Sequence, residues 1–112
     1  MVTDTLSPEM VGHAFAPITI SWRAKDTMLY ALGVGAELDF LYEGQRGLGP
    51  RVLPTYAVIP AMRAMGNIRQ LVNLKLQRLL HGEQGFELLR PLPSETEITL
   101  ESQVSEVWDK GK

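Results

Sequence analysis

The chain has 112 residues, of which 45% are apolar and 21% are charged, and its formal net charge is −2. This composition is typical of a single globular domain and excludes a disordered chain, and the slight negative charge gives no reason to expect a nucleic-acid partner. The chain contains no cysteine, which excludes disulfides and thiolate chemistry and favours a reducing compartment, so we expect the cytoplasm.

The first third of the chain predicts an arm, a strand and a helix. Residues 1–14 mix Ser, Pro, Gly and acidic residues without periodicity, which predicts a loosely held arm ahead of a domain over residues 15–112. Residues 17–22 alternate apolar and hydroxyl side chains, as a half-buried strand does. Residues 25–36 place Leu29, Leu32 and Ala36 at helical intervals, and Gly33 and Gly35 weaken the end of this helix.

The middle of the chain predicts a second strand, a loop and a second helix. Residues 38–43 alternate again, and residues 44–50 contain three glycines and a proline, which is typical of a surface loop. Thr55 is a candidate N-cap for a helix that runs to Met65. Pro60 lies inside that helix, so we expect a kink or a late start there. The apolar residues 52–62 fall well short of the roughly 20 that a membrane span needs, and we expect no membrane partner.

The last third predicts strands. Residues 86–89 alternate, and Ile98, Leu100 and Val104 alternate with polar residues, so one side of this strand faces water. Trp108 is expected to pack under the sheet edge in preference to stacking on adenine. Residues 109–112 predict a hairpin turn, and the strand before it then lacks its neighbour. The domain is therefore expected to be truncated within or before its last strands, with an edge available to a partner.

The stretch around His81, Gly82 and Glu83 is the candidate binding edge. Gly82 lets the backbone approach a ligand closely, just before the pattern of a strand begins. His81 is also compatible with a structural histidine, and Glu83 with a solvated carboxylate. No second acid, base or nucleophile recurs at a spacing that completes a centre, so the sequence predicts no catalytic residue and no metal site.

Several motifs match one family in their order along the chain. They are WRAKDTMLYALGVGA at 22–36, YE at 42–43, VLPTY at 52–56, LHGEQ at 80–84, RPLP at 90–93 and DKG at 109–111. With these motifs the chain closely resembles, over about residues 18–112, the N-terminal half of the MaoC-like, type-2 (R)-specific enoyl-CoA hydratases.

This resemblance implies an α+β hot-dog fold, an antiparallel sheet wrapped around a helix, as one half of a double hot-dog. In such enzymes the first repeat contributes the tunnel for the acyl chain and one wall of the CoA site. The second repeat carries the catalytic Asp and His in a motif of the form Tyr-Arg-x-Ser-Gly-Asp-x-Asn-Pro-x-His, which does not occur in this sequence. We therefore expect this chain by itself to be inactive.

The resemblance also implies where the thioester is held. Family contacts fall at His81 and Gly82, with Glu83 adjoining, and at Lys110, with Gly111 adjoining; Lys110 is equally compatible with a solvated turn lysine. A CoA thioester is then the substrate, no cofactor is needed, and a second hot-dog repeat or subunit is the partner, as an oligomer such as a dimer.

Two alternatives belong to other functional classes. One is a non-catalytic acyl-CoA binding or oligomerisation module that pairs with a separate hot-dog subunit. The other is a hot-dog thioesterase, which needs an acid on the central helix. The predicted helix over residues 55–65 has no acid, which disfavours the thioesterase.

Overall fold

Two strands that are far apart in the sequence pair in an antiparallel sheet. The computed structural model describes residues 2–44 and 49–111. Strand β1 is Ile18–Trp22 and strand β2 is Thr96–Leu100, and in their register Ile20 lies opposite Ile98. The strands predicted over residues 17–22 and from 97 onward are confirmed, although β2 ends at Leu100. Among the described residues after Leu100, strand pairing is limited to an isolated antiparallel bridge between Gln103 and Ala14.

Helix α1 (Ala24–Val34) follows β1 directly. The Asp26 carboxylate accepts a hydrogen bond of 2.8 Å from the Arg23 N–H and so satisfies a donor at the helix start. The helix ends at Gly35, whose φ of 76° is left-handed, and the Ala36 N–H donates to the Ala31 carbonyl at 2.9 Å. The predicted helix over residues 25–36 is confirmed, with its end two residues earlier.

The buried face of α1 is not the face that carries Leu29 and Leu32. Thr27 and Ala31 are buried, whereas Leu29 and Leu32 are 69% and 66% exposed. The leucines recur at a helical interval, but the face turned toward the protein is made of smaller side chains. This leaves an apolar surface on α1 that nothing in the described residues covers.

Helix α2 (Val58–Met65) begins after a 3₁₀ turn, Pro54–Ala57. Pro60 lies in the first turn of α2, where a missing N–H is tolerated, so the late start predicted for this helix is confirmed. Thr55 is not the N-cap: its hydroxyl accepts a hydrogen bond of 2.9 Å from the Tyr30 hydroxyl. Three further 3₁₀ turns lie at Pro8–Met10, Gly66–Gln70 and Leu76–Arg78.

Two predicted strands do not form. Residues 38–43 contain a 3₁₀ turn, Leu38–Phe40, in place of a strand, and the Arg51 N–H donates to the Asp39 carbonyl at 3.2 Å. Residues 86–89 lie in a stretch without helix or strand, 79–93, which contains a bend at residues 89–90 and pairs with no described strand. In this stretch Leu80 and Leu89 are 88% and 93% exposed. Part of the predicted loop, residues 45–48, and the last residue of the predicted hairpin turn lie outside the described residues.

The N-terminal arm makes backbone hydrogen bonds at two places. The Thr3 N–H donates to the Leu71 carbonyl at 3.0 Å, and the Asn73 N–H donates to the Thr3 carbonyl at 2.7 Å. The Gly12 N–H donates to the Val104 carbonyl at 2.7 Å. These bonds link residues that the sequence predicts to be loosely held to segments of the predicted domain over residues 15–112. That division of the chain stays a prediction.

The chain is therefore an α+β protein whose two-stranded sheet and helices are compatible with a hot-dog fold. Its core is small: Phe15, Trp22, Ala31, Tyr56 and Val72 are its buried hydrophobic residues within the described ranges. The accessible surface is 9109 Å², whereas a compact protein of this mass exposes about 6,200 Å². No helix among the described residues is long and apolar enough to cross a membrane.

Candidate functional site

Three aromatic rings meet where β1, α1 and the turn before α2 come together. The rings of Trp22 and Tyr56 lie edge to face with their centroids 5.3 Å apart, and those of Tyr30 and Tyr56 do so at 5.5 Å. The hydrogen bond from Tyr30 to Thr55 fixes the outer ring. Edge-to-face pairs at these distances are favourable and hold the rings in place. The cluster therefore forms a rigid wall for the space beside it.

An apolar cavity of about 410 Å³ lies against this aromatic wall. Its apolar lining comes from each of the elements that meet here: Ile20 from β1, Leu29 from α1, and Ile59 and Pro60 from α2. Asp26 and Arg63 also line it and give it a polar margin. Because Leu29 is 69% and Ile59 43% exposed, the cavity opens onto an apolar surface. Such a site suits the hydrocarbon part of an amphipathic ligand.

Two further cavities lie close to the apolar cavity and share lining residues with their neighbours. A middle cavity of about 610 Å³ shares Trp22 and Pro60 with it. An arginine cavity of about 870 Å³ shares residues 90–93 with the middle one and is also lined by Arg51. Neighbouring cavities thus share lining residues, and we refer to the three together as the groove.

One hydrogen bond links strand β1 to Pro93, which lines two of the cavities. The indole Nε1–H of Trp22 donates to the carbonyl oxygen of Pro93 at 2.9 Å. It connects the end of β1 to residues 90–93, which line both the middle cavity and the arginine cavity. The position of Pro93 therefore depends on Trp22.

Tyr56 is an ionisable group in the wall of the apolar cavity. Burial raises the pKa of its hydroxyl above the ordinary value of 10.0, and the charge of Asp26 raises the pKa further. Tyr56 consequently stays protonated at neutral pH and presents a hydrogen-bond donor.

The site residues predicted from the sequence lie away from the groove. His81, Gly82 and Glu83 are exposed, and the His81 Nε2 atom is 3.1 Å from the Glu83 carbonyl oxygen. Lys110 and Gly111 are exposed as well; the Gly111 N–H donates to the Asp109 carboxylate at 2.9 Å and its φ is 73°. None of these five residues lines the three cavities of the groove. Their thioester contacts stay a prediction.

The sequence did not identify the residues that line the groove as a site. Trp22, Tyr30 and Tyr56 are all in the matched motifs, and three aromatic residues spread over 35 positions were the available signal. Trp108 also differs from its prediction: it is 73% exposed and donates to the Glu106 carboxylate at 2.8 Å, so it does not pack under the sheet. No group of three or more His, Asp or Glu among the described residues is placed to hold a metal ion.

Comparison with known proteins gives a consistent family. A family model described as the MFE-2 hydratase 2 N-terminal domain matches residues 21–112. The 3-hydroxyacyl-thioester dehydratase Y of Mycobacterium tuberculosis is 37% identical over 110 residues, which cover 96% of this chain and 38% of that protein. The peroxisomal multifunctional enzyme type 2 of Mus musculus is 36% identical over 111 residues, which cover 90% of this chain and 15% of that protein.

A plant relative extends the same pattern. The peroxisomal enoyl-CoA hydratase 2 of Arabidopsis thaliana is 30% identical over 114 residues, which cover 92% of this chain and 37% of that protein. The chain thus spans less than two fifths of the length of each of these relatives. The resemblance found in the sequence motifs is confirmed.

Proposed function

The chain belongs to the family of MFE-2 hydratase 2 N-terminal domains, and on that basis we propose that it is the substrate-binding half of an (R)-specific 2-enoyl-CoA hydratase. The observation that supports the proposal is the groove, in which the first cavity is apolar and the third is lined by two arginines. An acyl-CoA has the same order of polarity, from a hydrocarbon chain through pantetheine to phosphates. The acyl chain would lie along Leu29 and Ile59.

The reaction of the complete enzyme is the reversible hydration of a trans-2-enoyl-CoA to a (3R)-3-hydroxyacyl-CoA. Water adds its hydroxyl to C3 and a proton to C2, so the reaction needs an acid, a base and a donor to the thioester carbonyl. The groove supplies a hydrogen-bond donor in Tyr56. We place the catalytic Asp and His on a second hot-dog repeat, and the present chain orients the thioester.

Binding of decenoyl-CoA tests this proposal. Trp22 borders the apolar and middle cavities, so its fluorescence should change on binding, and the Trp108→Phe variant leaves Trp22 as the sole indole. We expect saturable binding without turnover. Turnover of decenoyl-CoA by this chain by itself, abolished by Glu83→Gln, would contradict the assignment of catalysis to a second repeat.

A second candidate function is a non-catalytic acyl-CoA binding or oligomerisation module. The accessible surface of the chain favours such a module. The chain exposes roughly 3,000 Å² more than a compact protein of its mass. This excess is larger than the area that one partner contributes to a standard interface. A pull-down from native cell extract distinguishes the candidates. A partner bearing the Asp and His motif supports the hydratase, whereas acyl-CoA binding with no such partner supports the module.

A second hot-dog repeat or subunit, in a dimer or larger oligomer, forms part of the same proposal. The cytoplasmic location expected from the sequence stays a prediction, because the names of the mouse and plant relatives place those proteins in the peroxisome.

A further inference from the structure

One face of helix α1 is exposed and carries the pattern of a helix–helix contact. Leu29 and Leu32 lie one helical turn apart on this face, and both are largely exposed. Lys25, one turn earlier, is exposed on the same side, so the three residues follow the intervals of four and three at which packed helices meet. The opposite side of α1, with Thr27 and Ala31, is the side that is buried in the protein. We refer to the line of Lys25, Leu29 and Leu32 as the α1 seam.

Gly33 lies beside the α1 seam and leaves room for a second helix. A glycine inside a helix makes the helix less stable than an alanine would. A Cβ added to Gly33 would meet nothing within 4 Å, so no described residue requires a glycine at this position. The backbone of a second helix that packs closely on the seam does require a small residue beside it. The missing side chain at Gly33 therefore fits a contact with a neighbouring helix.

The charges at the two ends of α1 are complementary to each other. Lys25 lies in the first turn of α1, and Glu37 follows shortly after its end. Both residues are exposed, and neither makes an ion pair with a described residue. When two α1 helices run antiparallel with Leu29 opposite Leu32, Lys25 of one copy reaches the level of Glu37 of the other, to within one residue. A twofold axis makes this contact twice, once at each end of the pair.

We propose that the α1 seam is the contact between two copies of this chain, which pack antiparallel across a twofold axis with Leu29 of each copy against Leu32 of the other. A standard interface takes about 800 Å² from each copy, and the roughly 3,000 Å² by which this chain exceeds a compact protein is ample for it. Because each copy uses the same surface, the contact closes at two copies and gives a dimer. This dimer supplies the oligomer included in the proposed function and to that extent rests on that function.

Leu32 separates the dimer contact from the binding of an acyl chain. Leu29 lines the apolar cavity, whereas Leu32 does not. Replacing Leu32 therefore removes an apolar side chain from the seam and leaves the lining of the cavity intact. The matched control is Leu76→Gln, because Leu76 is 59% exposed but lies outside α1, in the 3₁₀ turn Leu76–Arg78.

Sedimentation equilibrium of the 112-residue chain measures the association. We expect an equilibrium between monomer and dimer, which Leu32→Gln should weaken by about tenfold or more, because each dimer loses two leucines from its centre. Leu76→Gln should leave the equilibrium unchanged. Calorimetry with decenoyl-pantetheine, which carries the acyl chain without the nucleotide of CoA, should give the same affinity for Leu32→Gln as for the original chain.

Charge reversal tests the antiparallel register. Lys25→Glu places two carboxylates together at each end of the dimer, and Glu37→Lys places two ammonium groups there, so each variant should associate about three- to tenfold more weakly. A mixture of the two variants should regain the original affinity, because every such contact in the mixed dimer again joins a carboxylate to an ammonium group. The charge control is Lys75→Glu, at an exposed lysine outside α1, and it should leave the association unchanged.

Three results would overturn this inference. A chain that stays monomeric up to about 1 mM has no specific dimer, and its seam is then left to a different chain, such as a second hot-dog repeat. A dimer that is insensitive to Leu32→Gln uses another surface, and charge variants that do not recover on mixing exclude the antiparallel register. If Leu32→Gln fails to fold, the charge variants decide. In each case, binding of decenoyl-pantetheine to the original chain keeps the acyl site of the proposed function, whereas its absence refutes that site even where the dimer forms.

Discussion

Replacing Trp22 with Phe should lower the free energy of unfolding by about 2 kcal/mol. The indole is only 5% exposed and donates to the Pro93 carbonyl. Loss of this hydrogen bond removes about 1 kcal/mol. The smaller ring buries roughly 40 Å² less apolar surface, which at about 25 cal/mol per Å² removes about 1 kcal/mol more. A phenyl ring can also make the edge-to-face contact with Tyr56, so we expect no further loss in the free energy of unfolding from that contact.

Urea unfolding followed by far-UV circular dichroism measures this effect, because the substitution itself alters the fluorescence. The midpoint should fall by about 1 to 2 M urea. The matched control is Trp108→Phe, which removes the same atoms from a side chain whose hydrogen-bond partner, Glu106, is only two residues away. Because Trp108 is largely exposed, its replacement should change the free energy of unfolding by less than about 0.5 kcal/mol. Equal effects of the two substitutions would refute the role given to the bond between Trp22 and Pro93.

Three further predictions concern the helix end, the buried phenol and the apolar cavity. Gly35→Ala should destabilise the protein by about 1 kcal/mol, because the φ of residue 35 is left-handed. Gly33→Ala, inside α1, should stabilise the protein by up to about 1 kcal/mol, and thermal unfolding of both variants measures these effects. Because the folded pKa of Tyr56 is raised, the free energy of unfolding should fall with a slope of up to about 1.4 kcal/mol per pH unit as the pH rises above about 10, and Tyr56→Phe should remove this slope in urea titrations at pH 8 to 11. Leu29→Gln should weaken decenoyl-pantetheine binding about fivefold in calorimetry, whereas Leu32→Gln, equally exposed but outside the apolar cavity, should leave the affinity unchanged.

The elements that local sequence determines were predicted well. Helix α1 has a helical period together with Asp26 in its first turn and Gly35 at its end, and these signals need no other part of the chain. Strands β1 and β2 alternate strictly because one face of each lies on the core. The late start of α2 follows from the chemistry of Pro60 alone.

The prediction failed where structure depends on distant partners. Residues 38–43 alternate, but the contacts of Asp39 with Arg51, twelve residues away, accompany a turn there. Residues 86–89 have the pattern of a strand, yet a strand forms only where a neighbour pairs with it. The groove was missed for the same reason, since Arg51 and Arg90 lie 39 positions apart and no local pattern brings them together.

The stretch 79–93 has a practical consequence for handling the protein. It forms no helix or strand, and the side chains of Leu80 and Leu89 are almost fully exposed. Exposed apolar side chains favour association between copies of a chain, so the protein should aggregate as its concentration rises. Co-expression with the second hot-dog repeat proposed above is expected to suppress that aggregation if the repeat covers this stretch.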